Sequence, residues 1–456
     1  MYLRIPRAFV VLFSLAGLTL AVPAPAPAAG RIAIGRRQSV PPPANDPFYV
    51  PPAGFQSSAP GTVLRSRPIV ASFFSDVPDP VFAWQLLYRT TAVNGSAIAG
   101  VTTVFRPLFA HLDRFVSYAT AYDSSATQCD PSYAYRLGSD SSTNKDTDLE
   151  FLIIEGYLLQ GYVVSSPDYE GPDAAFGPGH LSGMGVLDSM RAVTNFGSTI
   201  GFSTSKPAIV GQGYSGGALA TGWAASLQPT YAPELPIKGW AHGGTPANLT
   251  EVVLYIDNTV NAGFLVAAVA GLDAPSAYRA QLNPVLTQIL TAEGQSALQY
   301  GLSHCTSDDL TQYSGISLLS YDLQTLGPAV LQQPVINSIF ADNIMGATAS
   351  ETPTAPVLVY HSAQDEIIPY AGAAALVNRW CSRGASVTFS TFASGSHEIT
   401  AVLALPEVFT FVNNAFAGSV GSGCSQTTGV TSLNFLGLTI ELVPILTQLF
   451  NLLSNL

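Results

Sequence analysis

The chain is short of charge. Only 11% of its 456 residues are Asp, Glu, Lys or Arg, and the basic ones are scarcer, 18 against 30 acids. Residues 1–37 hold five of the arginines and no acid, so setting that stretch aside moves the formal charge from −12 to −17 (13 Lys and Arg against 30 Asp and Glu). A chain this acidic has no electrostatic route to nucleic acid. Cys129, Cys305, Cys381 and Cys424 include no C-x-x-C pair, and zinc would need ligands more closely spaced. The N-terminal apolar run, Ala8 to Leu20, is too short to span a bilayer comfortably.

What is present describes an exported globular protein. Hydrophobic residues make up 47% of the chain, which is long enough for one large α/β domain with an insertion, or for two domains. Arg4 and Arg7, the apolar run and the small Ala21 read as a secretory signal over 1–21. Pro/Ala-rich Val22 to Ala29 and the dibasic Arg36-Arg37 suggest a propeptide over 22–37, with the mature chain starting at Gln38. Export makes disulfides expected, and four cysteines allow three pairings. Asn94-Gly95-Ser96 and Asn248-Leu249-Thr250 are glycosylation acceptors.

Residues 38–66 are rich in Pro, Ser and Gly and are expected along the surface. Strands are then expected over 83–90, 97–107 and 115–122, a helix over 147–160, a strand at 162–164 and a helix over 181–195. A strand–turn–helix follows at 207–225, and a further strand at 237–241. Such alternation predicts a mostly parallel sheet covered on both faces, with a site beyond the C-terminal strand ends. From Leu249 to Gly346 the pattern is helical, and Ala262 to Leu272 is small and apolar all round. We expect a helical cap at 248–346 between core segments 38–247 and 347–425, covering the site and opening at an oil surface. An apolar tail, 426–456, ends the chain.

Gly213-Tyr214-Ser215-Gly216-Gly217 sits between a strand and a helix. That context raises the serine hydroxyl on a strained turn, and the helix N-terminus suits an oxyanion. A serine needs a base to take its proton and an acid to orient the base. Asp365, past the strand 355–360, and His397, in a small-residue loop after the strand 387–392, follow in the order serine, acid, histidine. His111 and His180 precede the serine, His304 lies inside the insertion, and His242 and His361 are read as structural. Glu366 and Asp168 are rival acids, the latter out of order. Gly216 N–H is the expected first oxyanion donor, and Asp123 the second, since no His-Gly-Gly-Gly run is present.

Tyr122-Asp123 before Cys129, Pro167-Asp168-Tyr169-Glu170-Gly171, Gly213-Tyr214-Ser215-Gly216-Gly217, Gly243-Gly244-Thr245-Pro246, Asp365-Glu366-Ile367-Ile368-Pro369-Tyr370 and Gly395-Ser396-His397 form an ordered set. At these residues the chain resembles the fungal secretory lipases, over about residues 45–425. The resemblance implies an α/β-hydrolase core with a helical lid and hydrolysis of triacylglycerols without cofactor or metal. It also implies a Ser215, Asp365, His397 triad with Asp123 and Gly216 at the oxyanion hole. It supports a Cys129–Cys305 bridge, and Cys381–Cys424 would tie down the start of the tail. The resulting expectation is a secreted, extracellular, monomeric lipase that meets lipid at an oil–water interface. An esterase or acyltransferase with the same triad, or an α/β-hydrolase-like binder without turnover, is the alternative.

Overall fold

The computed structural model describes residues 40–140 and 145–430. The expected signal and propeptide, and the tail from 431 onward, lie outside the described residues.

Ten strands form one sheet, numbered here in chain order: β1 Val63–Ile69, β2 Phe82–Thr91, β3 Ala97–Arg106, β4 Arg114–Ala119, β5 Val163–Pro167, β6 Ala208–Tyr214, β7 Ile237–Gly243, β8 Val357–Ser362, β9 Val387–Phe392 and β10 Cys424–Val430. Their spatial order is β1-β2-β3-β5-β4-β6-β7-β8-β9-β10. The first three pairings are antiparallel. From β5 to β10 every pairing is parallel. This is the mostly parallel sheet that the alternation predicted, in the α/β-hydrolase form that the resemblance implies.

Successive residues of the central strands go to opposite faces, as the two-residue period requires. Val163, Ile209, Val357 and Val359 pack on one side with Leu187, Trp223 and Trp380. Val164, Val210, Leu358 and Tyr360 pack on the other with Ile154, Tyr157 and Phe409. The first side is covered by α2 Gly179–Asn195, α3 Gly216–Tyr231 and α10 Tyr370–Ser382. The second is covered by α1 Lys145–Leu159, α11 His397–Leu403 and α12 Leu405–Ala417.

Between β7 and β8 run six helices: α4 Leu249–Ile256, α5 Gly263–Leu272, α6 Arg279–Ile289, α7 Ala292–Gly301, α8 Thr306–Gln312 and α9 Pro334–Asp342. Leu282, Leu286, Ile336 and Ile339 of these helices bury a further cluster that also takes in Ala175 and Leu181 of the core. The chain leaves and returns at one place, where Asn248 bridges Ile344 and Met345 N–H donates to Ala247 O at 2.9 Å.

Two expectations need correction. Residues 38–66 do not merely line the surface. Phe48 is buried against Leu87 and Val101, and β1 begins at Val63. β1 is a polar edge strand with Arg65, Arg67 and Pro68, so no alternating apolar signal marks it. The start of the expected tail is not a tail either, because β10 runs to Val430 as the far edge of the sheet.

Several carboxyls are buried without a cation beside them. Burial pushes Asp79 up to about 6, and burial plus the charge of Asp79 pushes Glu155 up to about 8. Burial raises Asp168 to about 7, although Ser132 N–H donates to its Oδ1 at 2.8 Å. Asp130 is raised by burial and then by Asp168. The folded chain therefore keeps protons that the unfolded chain releases near pH 4. The stability these carboxyls contribute is lost as pH rises from there through about 8, opposed below 6.5 by buried His242 and His361, whose lowered pKa values act with the other sign. Thermal scans should show a higher Tm at pH 5 than at pH 8, and Asp168→Asn should shrink that difference. A Tm that rises toward pH 8 would refute the reading.

Candidate active site

β6 lies in the parallel part of the sheet, between β4 and β7. At its end Ser215 has φ 55° and ψ −121°, the positive φ that a side chain normally avoids. Three features hold it there. Ser215 N–H donates to Gly243 O of β7 at 2.9 Å. Ser215 O accepts from Leu219 N–H in α3 at 2.9 Å. The third is backbone proximity: a Cβ at Gly217 would lie 1.9 Å from Ala119 O, so only glycine lets α3 start this close to β4. The strain is stored where the serine must project.

Asp365 follows β8 in a tight loop and is nearly fully buried. Its Oδ1 accepts N–H bonds from Ile367 at 3.0 Å and Ile368 at 2.7 Å. Its Oδ2 lies 2.7 Å from His397 Nδ1. Ser396 caps α11, which His397 opens. The ring is steadied by Tyr214, whose ring centroid is 4.9 Å away and whose hydroxyl donates to His397 O at 2.6 Å. Nε2 is buried and has no hydrogen-bond partner among the described residues. Burial opposes a charge on this ring, but Asp365 beside it, with Glu366 and Glu398 nearby, carries the His397 pKa above 6.5. Burial likewise opposes the Asp365 charge, and His397, His361 and the loop N–H groups bring its pKa below the ordinary value.

Asp123 has φ 44° and follows β4. Its carboxyl sits against Gly216, where a Cβ would be 1.7 Å from Asp123 Oδ1. Two cavities meet here. One is lined almost wholly by apolar groups, and Ser215, Gly216 and Asp123 stand with Leu219, Val253, Val269, Leu272 and Phe340. It shares Val253, Val269, Leu272, Leu318 and Phe340 with a further apolar pocket lined by α4 to α7 and α9. The second cavity is more polar and is lined by Ser215, His397, Tyr214, Glu150, Glu398 and Thr306.

A serine on a strained strand–helix turn beside a histidine–carboxylate pair is shared by many hydrolases. The whole-chain comparison narrows this. Residues 135–423 match the model of the secretory lipase family. The chain belongs to that family. It is 38% identical over 384 residues to secreted triacylglycerol lipase LIP1 of Malassezia furfur, covering 83% of this chain and 77% of the relative. It is 37% identical over 405 residues to LIP2 of the same organism, covering 88% and 85%. The structure of Candida antarctica lipase A in its closed state superposes with a TM-score of 0.81 at 30% identity, covering 92% of this chain and 96% of that one.

In this secretory lipase four of the other five histidines lie elsewhere. His180 is 3.7 Å from Asp342, and His304 stacks on Tyr300. The His111 ring lies 5.4 Å from the Tyr162 ring. His242 is held by Thr245 at 2.8 Å, and burial takes its pKa down to about 3. His361 is the surprise. Its Nε2 lies 3.0 Å from Ile368 O and 3.3 Å from Asp365 Oδ2, so it braces the acid loop. Its strand-end position hinted at a structural part but not at this partner. Of the rival acids, Asp168 bonds Ser132. Glu366 accepts the His397 backbone N–H at 3.0 Å, so it supports the ring's loop rather than the ring. The bridges present are Cys129–Cys305 and Cys381–Cys424. Asn94 is exposed on a turn, whereas half-buried Asn248 caps α4 and donates to Glu251 at 3.0 Å.

The electrostatics give a test independent of turnover. In an NMR titration the His397 ring should protonate above pH 6.5, while His242 stays neutral down to about 3. Glu366→Gln removes a negative charge, so it should lower the His397 midpoint, whereas a rise would contradict the assignment.

Proposed function

We propose that this chain is a secreted triacylglycerol lipase working through Ser215, His397 and Asp365. One observation carries the reading: His397, held by its 2.7 Å contact to Asp365, lines the same cavity as Ser215, and Ser215 also lines the apolar cavity that would serve as an acyl tunnel. The names of the Malassezia relatives support the substrate class.

Ser215 Oγ adds to the ester carbonyl carbon while His397 Nε2 takes the hydroxyl proton. Asp365 holds the ring by Nδ1 and stabilises the imidazolium. The N–H groups of Gly216 and Asp123 receive the charge that grows on the carbonyl oxygen. Collapse breaks the bond to the alcohol oxygen, which leaves with the proton from His397. Water repeats the sequence on the acyl-enzyme and frees the acid. These steps close with the chain's own residues.

Residues 248–346 form the cap in this reading, and the acyl chain enters the apolar tunnel. The cap's fastenings favour a fixed cover over a swinging one. Tyr255 OH donates to Asp365 O at 2.7 Å, and Ser125 Oγ to Ala267 O at 2.7 Å. Gly179 N–H donates to Asn343 Oδ1 at 2.8 Å, and Cys305 is bridged to Cys129.

Ser215→Ala, His397→Ala and Asp365→Asn should each lower kcat on the order of 10⁴-fold with the fold intact. A larger loss in Glu366→Gln than in Asp365→Asn would move the acid to Glu366. Across soluble and emulsified esters, long acyl chains should be preferred, with plain saturation through the solubility limit. A jump at that limit would instead support an opening lid. Fastest turnover on acetate esters, with none on emulsified triacylglycerol, would leave an esterase. Val269→Trp should narrow the tunnel and cut kcat/KM for long chains about tenfold while sparing butyrate. Equal loss on both would place the acyl chain elsewhere.

A further inference from the structure

The Tyr122-Asp123-Ser124 turn is held by a residue far away in the chain. Thr306, the first residue of α8, is buried and reaches from the cap to this turn. Its Oγ1 lies 2.6 Å from Asp123 O and 3.0 Å from Tyr122 O. Its backbone N–H donates to Ser124 Oγ at 2.9 Å. Ser124 Oγ in turn donates to Tyr122 O at 2.6 Å. Cys305, the preceding residue, is joined to Cys129, so the contact is fixed covalently next door.

These bonds aim one group. Tyr122 C=O and Asp123 N–H belong to the same planar trans peptide and point in opposite directions. The Ser124 hydroxyl pins Tyr122 O, and the single Thr306 hydroxyl proton is directed at the nearer Asp123 O with Tyr122 O close by, so the turn is held from both sides and the direction of Asp123 N–H is fixed. Gripping Asp123 O fixes the peptide on the other side of the same Cα. Between them lies a residue with φ 44°, a conformation that relaxes if nothing holds it. We infer that Thr306 is a positioning residue for the oxyanion hole, so that the cap helps to assemble the catalytic site as well as to cover it. The inference rests on reading Asp123 N–H as an oxyanion donor.

Thr306→Val keeps the shape and removes the hydroxyl, and Thr306→Ser keeps the hydroxyl. On dissolved p-nitrophenyl butyrate, Thr306→Val should lower kcat about tenfold with KM little changed, since losing a donor outright costs about a hundredfold or more. Thr306→Ser should stay near wild type. The matching thionoester puts sulfur, a larger and poorer acceptor, in the hole, so the wild type should strongly prefer the oxygen ester. Thr306→Val should narrow that preference. Ser124→Ala, which loosens the same turn from its other side, should shift both readings the same way and serves if Thr306→Val does not fold. An equal loss on both esters, or no loss with the preference kept, overturns the role of Thr306 and leaves the oxyanion assignment standing. A wild type with no preference for oxygen overturns the oxyanion assignment itself.

Discussion

Everything around the site depends on two backbones that almost touch. α3 can begin where it does only because residue 217 has no side chain to meet Ala119 O. That closeness turns the chain sharply at Ser215 and holds its φ at 55°. A relaxed turn would lay the serine down along the sheet. The cost is repaid by the packing behind it, where Trp223 of α3 is buried against α2 and the central strands. The site is thus strained at its tip and rigid at its base.

The other groups are brought to that tip by different means. Asp365 and His397 arrive on loops after neighbouring strands, so the parallel register of β8 with β9 sets their meeting. Asp365 is gripped from several sides, by Ile367, Ile368, His361 and His397. Its charge survives burial for that reason. The Asp123 turn is gripped by its own Ser124 and, from outside the core, by Thr306.

Much of this could be read in the sequence, and the division has a physical cause. Ser215, Asp365 and His397 each sit in a local strand-end pattern, and their order is fixed by the chain. The two-sided sheet was legible because β6 and β8 open on the apolar runs Ala208-Ile209-Val210 and Val357-Leu358-Val359-Tyr360. Pairing partners were not legible: β5 inserts between β3 and β4, which no local pattern records. β1 was hidden because an edge strand needs no apolar alternation. His361 and Thr306 were hidden because their partners are set by three-dimensional proximity. Thr306 meets Asp123 across a separation of 183 residues, and the neighbouring Cys305 was the one clue to that junction.

The bridge between Asn248 and Ile344 has a consequence for how such a molecule can diverge. Because the insertion begins and ends at one point, its length and content can change without altering the spacing of β7 and β8. Lengthening a closed loop also costs little, since the closure entropy grows only with the logarithm of its length. The core can therefore be inherited nearly unchanged while the insertion drifts toward new substrates. The segment at 305–306 limits that freedom: any replacement insertion must still return to the Asp123 turn.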